Sequence, residues 1–203
     1  MILILASASP RRAEILRNAG FEFSVRPAHV DESRLPEERA EDYVRRLART
    51  KAQVVSRCMA GSDGPAIVIG ADTVVLAEGQ ILGKPEGEKD ARRMLLLLSG
   101  KTHEVFSGLS VIAVPNGPEY DHAERTSVRF LELSDRDIDE YIAGGEPFDK
   151  AGAYGIQGIG ARFISRIEGC YFNVMGLPLS RLWSTLKLFR DTAANLGVVQ
   201  KQG

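Results

Sequence analysis

The sequence lacks the long apolar runs and the paired cysteines that mark membrane proteins and disulfide-bonded proteins. No segment approaches the roughly 18 uninterrupted apolar residues that a membrane span needs. The apolar run at residues 2–5 precedes small residues, as in a secretory signal, but it is short and no basic segment precedes it. Cys58 and Cys170 lack the spacing of a metal or redox pair, which favours a reduced compartment. We therefore expect a cytoplasmic protein that is neither exported nor embedded in a membrane.

The sequence also lacks an excess of charge of either sign. Lys and Arg number 26 against 27 Asp and Glu, so no global positive field is available to hold a nucleic acid or an anionic membrane. Neither partner is expected, and any binding of phosphate needs a local cluster. Internal repeats, low-complexity tracts and separating linkers are absent as well. We predict a single α/β domain over residues 1–190, followed by a frayed tail over residues 191–203.

Strands and helices alternate along the chain. The predicted elements are, in order, strand 2–5, a helix from Pro10 to about Ala19 with Ser9 as its N-cap, strand 21–25, helix 36–59, a hairpin over 66–84, helix 88–98, strands 102–114 and 126–133, a helix capped by Ser134, a glycine-rich loop at 144–160, strand 162–167 and helix 178–189. Because some strands are joined by helices and others by hairpins, we predict a mixed twisted sheet flanked by helices.

The first candidate cluster is Ser7-Ala-Ser9-Pro-Arg11-Arg12, at a strand-to-helix junction. A helix start presents unpaired N–H groups and the positive end of the helix dipole, and two hydroxyls and two guanidinium groups are added here. That combination suits a polyphosphate. An ordinary N-cap with two solvated arginines is the alternative.

The second candidate is Asp72, which lies within the apolar run Ile67–Leu76. A carboxylate in such a run is costly to desolvate unless a cation or strong donors compensate it, so the position suggests a metal or a catalytic role. The alternative is a carboxylate that caps a bulge at Gly70-Ala71. Gly70 would also permit the close approach of a ligand.

Lys51, Lys84 and Glu32 are candidates only in combination with Asp72. Each alone is best interpreted as a surface residue. Glu32 and Asp72 together would make a two-carboxylate oxygen site of the kind that magnesium prefers.

The fourth cluster, Asp149-Lys150 to Gly158, places small residues around strong polar side chains. Its glycines allow close approach of the backbone to a substrate, to which Asp149 and Lys150 would contribute contacts. The Gln157 amide can both donate and accept, as recognition of a base requires. A plain flexible loop is the alternative.

Three further patterns are not functional motifs. Ser99-Gly-Lys-Thr102 resembles the end of a phosphate-binding P-loop, but a helix precedes it and the required first glycine is Leu95. Gly158-Ile-Gly160 leads into a strand, not the helix of a dinucleotide-binding motif. The histidines lack metal-ligand spacing and are predicted to be surface or packing residues: His29, His103 and His122.

Taken together, the motifs resemble the Maf family of nucleotide pyrophosphatases, also called septum formation proteins. The match is collinear from Leu3 to about Leu188 and comprises LASASPRR, IGADTVV, GKP, LSGKTHEV, DKAGAYGIQG and VMGLPLSRL. Six long motifs in one order are a far more specific signal than any one of them.

The resemblance implies a two-lobed α/β fold with a central cleft, similar to inosine triphosphate pyrophosphatases, and commonly a homodimer. It also implies hydrolysis of a nucleoside triphosphate between its α and β phosphates with a divalent cation, Mg²⁺ or Mn²⁺. Asp72 would be the proton acceptor and would organise the metal together with Glu32. Phosphate contacts would come from Arg12, Lys51 and Lys84, with Ser7 and Ser9 nearby.

Three positions point to one branch of that family. Arg11, Thr73 and Gln157 resemble the branch that acts on dTTP and UTP, whereas the 7-methylguanosine triphosphate branch tends to carry Trp, Gln and Glu there. Thr73 and Gln157 would read the pyrimidine edge, and Arg11 would help to close the pocket. We therefore expect hydrolysis of dTTP, UTP and modified pyrimidine nucleotides. A non-catalytic nucleotide-binding regulator of cell division and a 7-methylguanosine triphosphate pyrophosphatase are the alternatives.

Overall fold

A seven-stranded mixed sheet, with strand order β2-β1-β3-β5-β6-β7 and β4 beside β3, forms the centre of the fold. The computed structural model describes residues 2–59 and 64–195. The strands are β1 (Ile2–Leu5), β2 (Phe23–Val25), β3 (Ala66–Ala77), β4 (Gln80–Leu82), β5 (Thr102–Val114), β6 (Glu119–Phe130) and β7 (Ile164–Glu168). The helices are α1 (Pro10–Asn18), α2 (Ala40–Met59), α3 (Glu88–Leu98), α4 (Asp135–Ala143), α5 (Tyr171–Met175) and α6 (Leu179–Asn195). The predicted mixed sheet flanked by helices is confirmed.

Pairing along β3 leaves a gap in the sheet. One edge of β3 pairs in parallel with β1 as far as Ile69 and antiparallel with β4 from Val75 onward. Within the described residues, 70–74 therefore have no strand partner on that edge, although β5 pairs with the other edge throughout. Asp72 and Thr73 lie in this gap and, as successive strand residues, face opposite sides of the sheet.

Helix α2 packs directly against the backbone of β3 and β5. A Cβ atom added to Gly70 or to Gly108 would collide with the α2 backbone. The expectation that Gly70 admits a ligand is therefore wrong, because the helix takes up that space. The bulge alternative for Asp72 is also wrong, since Asp72 pairs with Gly108 in an unbroken β3–β5 ladder.

Two large apolar clusters meet at the gap. One contains Leu95, Phe130 and Tyr141 and lies under α3 and α4. The other lies between the sheet and helices α1 and α6, with Leu16 and Leu182 at its centre. The cleft between them is lined by residues of both clusters, which agrees with the expected two lobes around a central cleft.

Several predicted boundaries differ from the structure. α2 begins at Ala40 and not at residue 36, because Glu37 adopts a positive φ of 57° that interrupts the helix. β6 begins at Glu119, seven residues before the predicted start at Thr126, because its polar first half pairs with β5. Helix α5 was not predicted.

The C-terminal part of the chain contains more helix than the sequence suggested. The glycine-rich loop predicted at 144–160 contains 3-10 helices at Glu146–Asp149, Ala151–Ala153 and Gly158–Phe163. α6 continues past Phe189 to Asn195, since no glycine or proline intervenes. The predicted frayed tail is thus helical in its first residues, and residues 196–203 lie outside the described part. In residues 2–59 and 64–195 no helix combines the length and apolar character required to cross a bilayer.

Candidate active site

A cleft of about 680 Å³ opens at the gap beside β3. Every residue that the sequence singled out for catalysis, substrate or metal lines it: Ser7, Ser9, Arg11, Arg12, Glu32, Lys51, Asp72, Thr73, Lys84, Asp149, Lys150 and Gln157. These residues come from six separate stretches of chain, and the fold brings them into one concave surface.

Lys51 and Asp72 form a buried ion pair at the floor of the cleft. Lys51 projects from α2 and places its ammonium nitrogen 2.6 Å from Asp72 Oδ1. The same nitrogen lies 2.6 Å from Glu32 Oε1, so one ammonium group bridges two carboxylates. The Lys51 and Asp72 side chains are 9% and 12% exposed, whereas that of Glu32 is 59% exposed. The cost of desolvating Asp72 is therefore offset by the cation that the sequence argument required.

The donor set around Asp72 fits a hard divalent cation that substrate would help to bind. In the described residues no group of three or more His, Cys, Asp or Glu side chains is arranged as a metal site. Asp72 and Glu32 nevertheless provide two carboxylates, each 2.6 Å from the Lys51 ammonium nitrogen. Magnesium is commonly held by one or two carboxylates plus substrate phosphates. Asp72 and Glu32 would hold such a metal, and Lys51 binds one oxygen of each carboxylate.

Arg12 lies across the cleft from Lys51 and is held by neutral acceptors. It donates hydrogen bonds to the Gly176 carbonyl at 2.8 Å, to Ser7 Oγ at 2.8 Å and to Thr73 Oγ1 at 3.1 Å. Burial is the main cause of a lowered pKa for Arg12, and the nearby Asp72 carboxylate opposes that shift. Guanidinium has five N–H donors, so Arg12 keeps donors available for an anionic ligand.

The start of α1 leaves its amides without a side-chain cap. Ser9 occupies the N-cap position as predicted, but its hydroxyl makes no capping hydrogen bond. Arg11 and Arg12 line the cleft, and uncapped first-turn N–H groups of a helix suit a phosphate oxygen.

An ion-pair network closes the cleft on the side of the 3-10 helices. Arg11 lies 2.6 Å from Asp149 Oδ2, and Lys150 Nζ lies 2.7 Å from Asp149 Oδ1. Burial raises the pKa of Asp149, but the Lys150 hydrogen bond and the Arg11 charge outweigh it, so the pKa is lowered. Arg11 thus connects α1 to the opposite wall, in agreement with a role in closing the pocket.

Lys84 and Gln157 present polar groups that are not engaged by protein. In the part of the chain that the structure describes, neither side chain has a hydrogen-bond or ion-pair partner, although both line the cleft. Lys84 is exposed and Gln157 is half-buried. Unpaired polar groups at a concave surface are available to a ligand.

Sequence reasoning missed several residues of the site. Tyr43 lines the cleft, and burial together with the Asp72 and Glu32 charges raises its pKa. Ser107 hydrogen-bonds Thr73 Oγ1 at 2.8 Å. Gly176, which accepts from Arg12, lies in the VMGLPLSRL motif; that motif was the only signal that could have identified it.

The three histidines lie outside the cleft. His103 is buried and stacks edge-on against Phe130, with Nε2 2.8 Å from the Tyr154 hydroxyl. His122 pairs with Glu124, and His29 is exposed. The prediction that they are packing or surface residues is confirmed.

Comparisons with known proteins identify the family of the chain. The family model described as Maf-like protein matches residues 2–189. A dTTP/UTP pyrophosphatase from Clostridium perfringens (strain SM101 / Type A) is 49% identical over 193 residues, covering 95% of this chain and 99% of the relative. Another from Koribacter versatilis (strain Ellin345) is 50% identical over 187 residues, covering 92% and 94%. The crystal structure of a nucleoside-triphosphatase / dITP/XTP pyrophosphatase from Mycobacterium abscessus shows only a weak likeness, with 12% identity over 98% of this chain and 100% of that chain and a TM-score of 0.42. On the family match and these relatives, the chain belongs to the Maf-like protein family.

Proposed function

We propose that this protein hydrolyses dTTP and UTP, and modified pyrimidine nucleotides, to the monophosphate and pyrophosphate. Relatives that are 49% and 50% identical over more than nine-tenths of the chain carry the name dTTP/UTP pyrophosphatase. The observation that carries the proposal is the buried Asp72 carboxylate, paired with Lys51 in a cleft that also contains Arg12, Lys84 and Gln157.

Asp72 is the proposed proton acceptor. Its carboxylate lies in the strand gap, where a triphosphate and a water can reach it from the cleft. The Lys51 ammonium nitrogen, 2.6 Å from Asp72 Oδ1, holds the carboxylate in place, and a carboxylate is the group that would accept a proton from water attacking the α-phosphorus. Tyr43 lines the same cleft beside this group.

Cationic groups hold the polyphosphate and stabilise the leaving group. Arg12 and the uncapped start of α1 bind phosphate oxygens on one wall, and Lys84 binds them on the other. Charge accumulates on the departing pyrophosphate, so positioned cations there lower the barrier by electrostatic stabilisation. Lys51 contributes by fixing Asp72 and Glu32.

Glu32 and Asp72 are the proposed ligands of a divalent cation, Mg²⁺ or Mn²⁺. When bound, such an ion polarises phosphate oxygens and lowers the pKa of a nearby water. The two carboxylates and the substrate phosphates are the donor set that supports this assignment.

Gln157 is the proposed reader of the pyrimidine edge, because its amide can pair with both a donor and an acceptor. Thr73 is better assigned to holding Arg12, since its hydroxyl already bonds Arg12 and Ser107. Arg11, Asp149 and Lys150 form the wall that closes on the nucleotide.

The test is product analysis with the purified protein, dTTP and Mg²⁺. The proposal predicts equimolar dTMP and pyrophosphate, a higher kcat/KM for dTTP and UTP than for GTP or 7-methyl-GTP, and loss of activity with EDTA. Binding of dTTP without cleavage would identify a nucleotide sensor and refute the enzyme. Release of dTDP and orthophosphate would refute attack at the α-phosphorus. A preference for 7-methyl-GTP would move the protein to the other branch.

Four features remain predictions that accompany the function. We expect a cytoplasmic enzyme, a homodimer, no nucleic-acid partner, and a single domain over residues 1–190. Analytical ultracentrifugation of the purified protein tests the dimer, and fractionation of the source cells tests the location.

A further inference from the structure

The backbone on both sides of Gln157 is held by two side chains, Tyr141 and Glu146. The Tyr141 hydroxyl accepts a hydrogen bond from the Gly155 amide at 3.2 Å and donates one to Glu146 Oε1 at 3.0 Å. Glu146 in turn accepts from the Ile159 amide at 2.9 Å and from the Gly160 amide at 3.1 Å. The chain before and the chain after Gln157 are therefore tied to one hydrogen-bonded pair.

This pair is well suited to hold its geometry. Tyr141 is fully buried on α4 in the apolar cluster under α3 and α4, so its ring has little freedom. Burial and the adjacent Glu146 carboxylate raise the pKa of Tyr141, which stays a hydrogen-bond donor at neutral pH. Burial opposes ionisation of Glu146, but the bonds from the two amides outweigh it, and its pKa is lowered. A charged acceptor makes stronger hydrogen bonds than a neutral one.

A third contact extends the support to the wall of the cleft. Lys150 Nζ donates to the Glu146 carbonyl at 2.7 Å and to Asp149 at 2.7 Å. Hydrogen bonds within the segment from Glu146 to Gly160 thus hold it in one conformation. The Gln157 side chain, in contrast, has no partner within the described residues. Selective binding of a planar base depends on accurate placement of the groups that contact it. A fixed backbone segment that carries an unpaired side-chain amide, here that of Gln157, provides such placement.

We propose that Tyr141 and Glu146 are positioning residues for base discrimination, acting by fixing the peptide that presents Gln157 to the nucleotide. The inference rests on the proposed function, since it takes Gln157 as the reader of the base. Neither residue contacts the triphosphate in this account. Their loss acts on the recognition of the base more than on the chemical step.

Two variants test the inference by different routes. Glu146→Gln removes the charge and puts an NH₂ group where one amide needs an acceptor. Tyr141→Phe keeps the buried ring and both amide bonds to Glu146 but deprives the Gly155 amide of its acceptor. We expect Glu146→Gln to raise KM for dTTP about tenfold with a smaller fall in kcat, and to lower the dTTP to GTP ratio of kcat/KM by a similar factor. Tyr141→Phe has a smaller effect in the same direction.

Glu140→Gln is the matched control. Glu140 lies on the exposed side of α4 and pairs with Arg136, away from the cleft. We expect the Glu140→Gln variant to leave the dTTP to GTP ratio of kcat/KM unchanged. Hydrogen exchange needs no substrate. It should become faster at the Ile159 and Gly160 amides in Glu146→Gln and at the Gly155 amide in Tyr141→Phe, and at none of the three in the control.

The outcomes separate this inference from the function on which it rests. Equal losses of kcat/KM for dTTP and GTP in the two variants would show a merely structural role and overturn it. If the wild type cleaves dTTP and Gln157→Ala leaves the ratio unchanged, Gln157 is not the reader and the inference falls while the pyrophosphatase stands. If the wild type cleaves no nucleotide, the proposed function fails first. The double variant Glu146→Gln with Gln157→Ala should have the same dTTP to GTP ratio of kcat/KM as Gln157→Ala alone.

Discussion

Gly70 of β3 lies against Ala48 of α2 with no room for a side chain between them. A Cβ on Gly70 would lie 2.1 Å from the Ala48 carbonyl oxygen. Lys51 follows Ala48 by one helical turn, and Asp72 follows Gly70 by two strand residues on the same face. This backbone contact therefore sets the distance between the ammonium and carboxylate groups of the candidate site.

Replacing Gly70 with alanine should separate the helix from the sheet. The added methyl group cannot be accommodated by a side-chain movement, since it meets backbone atoms. We predict that the free energy of unfolding falls by about 3 kcal/mol or more, as overpacking in a rigid contact does. Urea denaturation measures this. Gly83→Ala is the control, because nothing lies within 4 Å of its Cβ position, and equal stability losses in both variants would contradict the account.

Removing the Lys51 charge should leave Asp72 as an uncompensated buried carboxylate. Breaking one side of a buried ion pair typically costs about 3 kcal/mol or more, so Lys51→Met is predicted to lower the free energy of unfolding by that amount. The double variant Lys51→Met with Asp72→Asn should regain most of this loss, because the remaining carboxylate, Glu32, is 59% exposed and no lone buried charge remains. Chemical denaturation of both variants at pH 7 tests the pair. A double variant no more stable than Lys51→Met would show that the charge is not the cause.

Thr73→Val should weaken the binding of every nucleotide equally. Its hydroxyl accepts from Arg12 at 3.1 Å, so the isosteric valine leaves part of the guanidinium unpaired. We predict that kcat/KM falls about tenfold for dTTP and for GTP alike. Steady-state kinetics with both substrates measures the two values. A fall confined to dTTP would instead identify Thr73 as a reader of the base, as the sequence first suggested.

The sequence was sufficient to identify the residues of the candidate site, but not the backbone arrangement that brings them together. Asp72 was identified because a carboxylate within an aliphatic strand requires compensation, and Lys51 provides it. The strand gap that exposes Asp72 was not predictable, since it depends on where β1 stops and β4 starts pairing with β3. The role of Gly70 was misjudged for a related reason. A glycine signals close approach but does not tell whether a ligand or a helix approaches.

The predicted boundaries of helices and strands were wrong where the local sequence pattern conflicted with the pairing of distant strands. The first half of β6 is polar and half-buried, so it lacks the apolar alternation of a strand, yet β5 pairs with it residue by residue. Helix α5 has five residues, too few for a periodic pattern. Glu88–Leu98 and Thr102–Val114 were predicted with the observed bounds, because the acidic first turn of the helix, the flanking glycines and the apolar pattern agree there.

His103 should make the stability of the fold sensitive to acid. Burial lowers its pKa to about 4, whereas an imidazole in the unfolded chain titrates near 6.5. Above about pH 6.5 the imidazole is neutral in both the folded and the unfolded protein, so His103 does not make the free energy of unfolding depend on pH there. Between about pH 6.5 and about pH 4 only the unfolded state binds the proton. The free energy of unfolding therefore falls by up to about 1.4 kcal/mol for each unit by which the pH is lowered.

His103→Gln removes this titration while keeping a polar group near Tyr154. Urea unfolding of wild type and variant between pH 7 and pH 4.5 should give curves that run parallel at neutral pH and diverge below it, with the wild type losing more. Curves that stay parallel over the whole range would show that His103 is protonated as easily in the folded protein as in the unfolded chain.

The central claim is that the Asp72 carboxylate accepts the proton from the attacking water, and the turnover number of Asp72→Asn on dTTP tests it most directly. Asparagine has nearly the same shape, and Lys51 keeps Glu32 as a partner, so near-ultraviolet circular dichroism should match the wild type. Asp139→Asn, an exposed aspartate on α4 that pairs with Arg92, is the control and should retain full activity. We predict that kcat for Asp72→Asn falls about a hundredfold or more, as loss of a general base does. A folded Asp72→Asn protein that releases pyrophosphate at close to the wild-type rate would contradict the account.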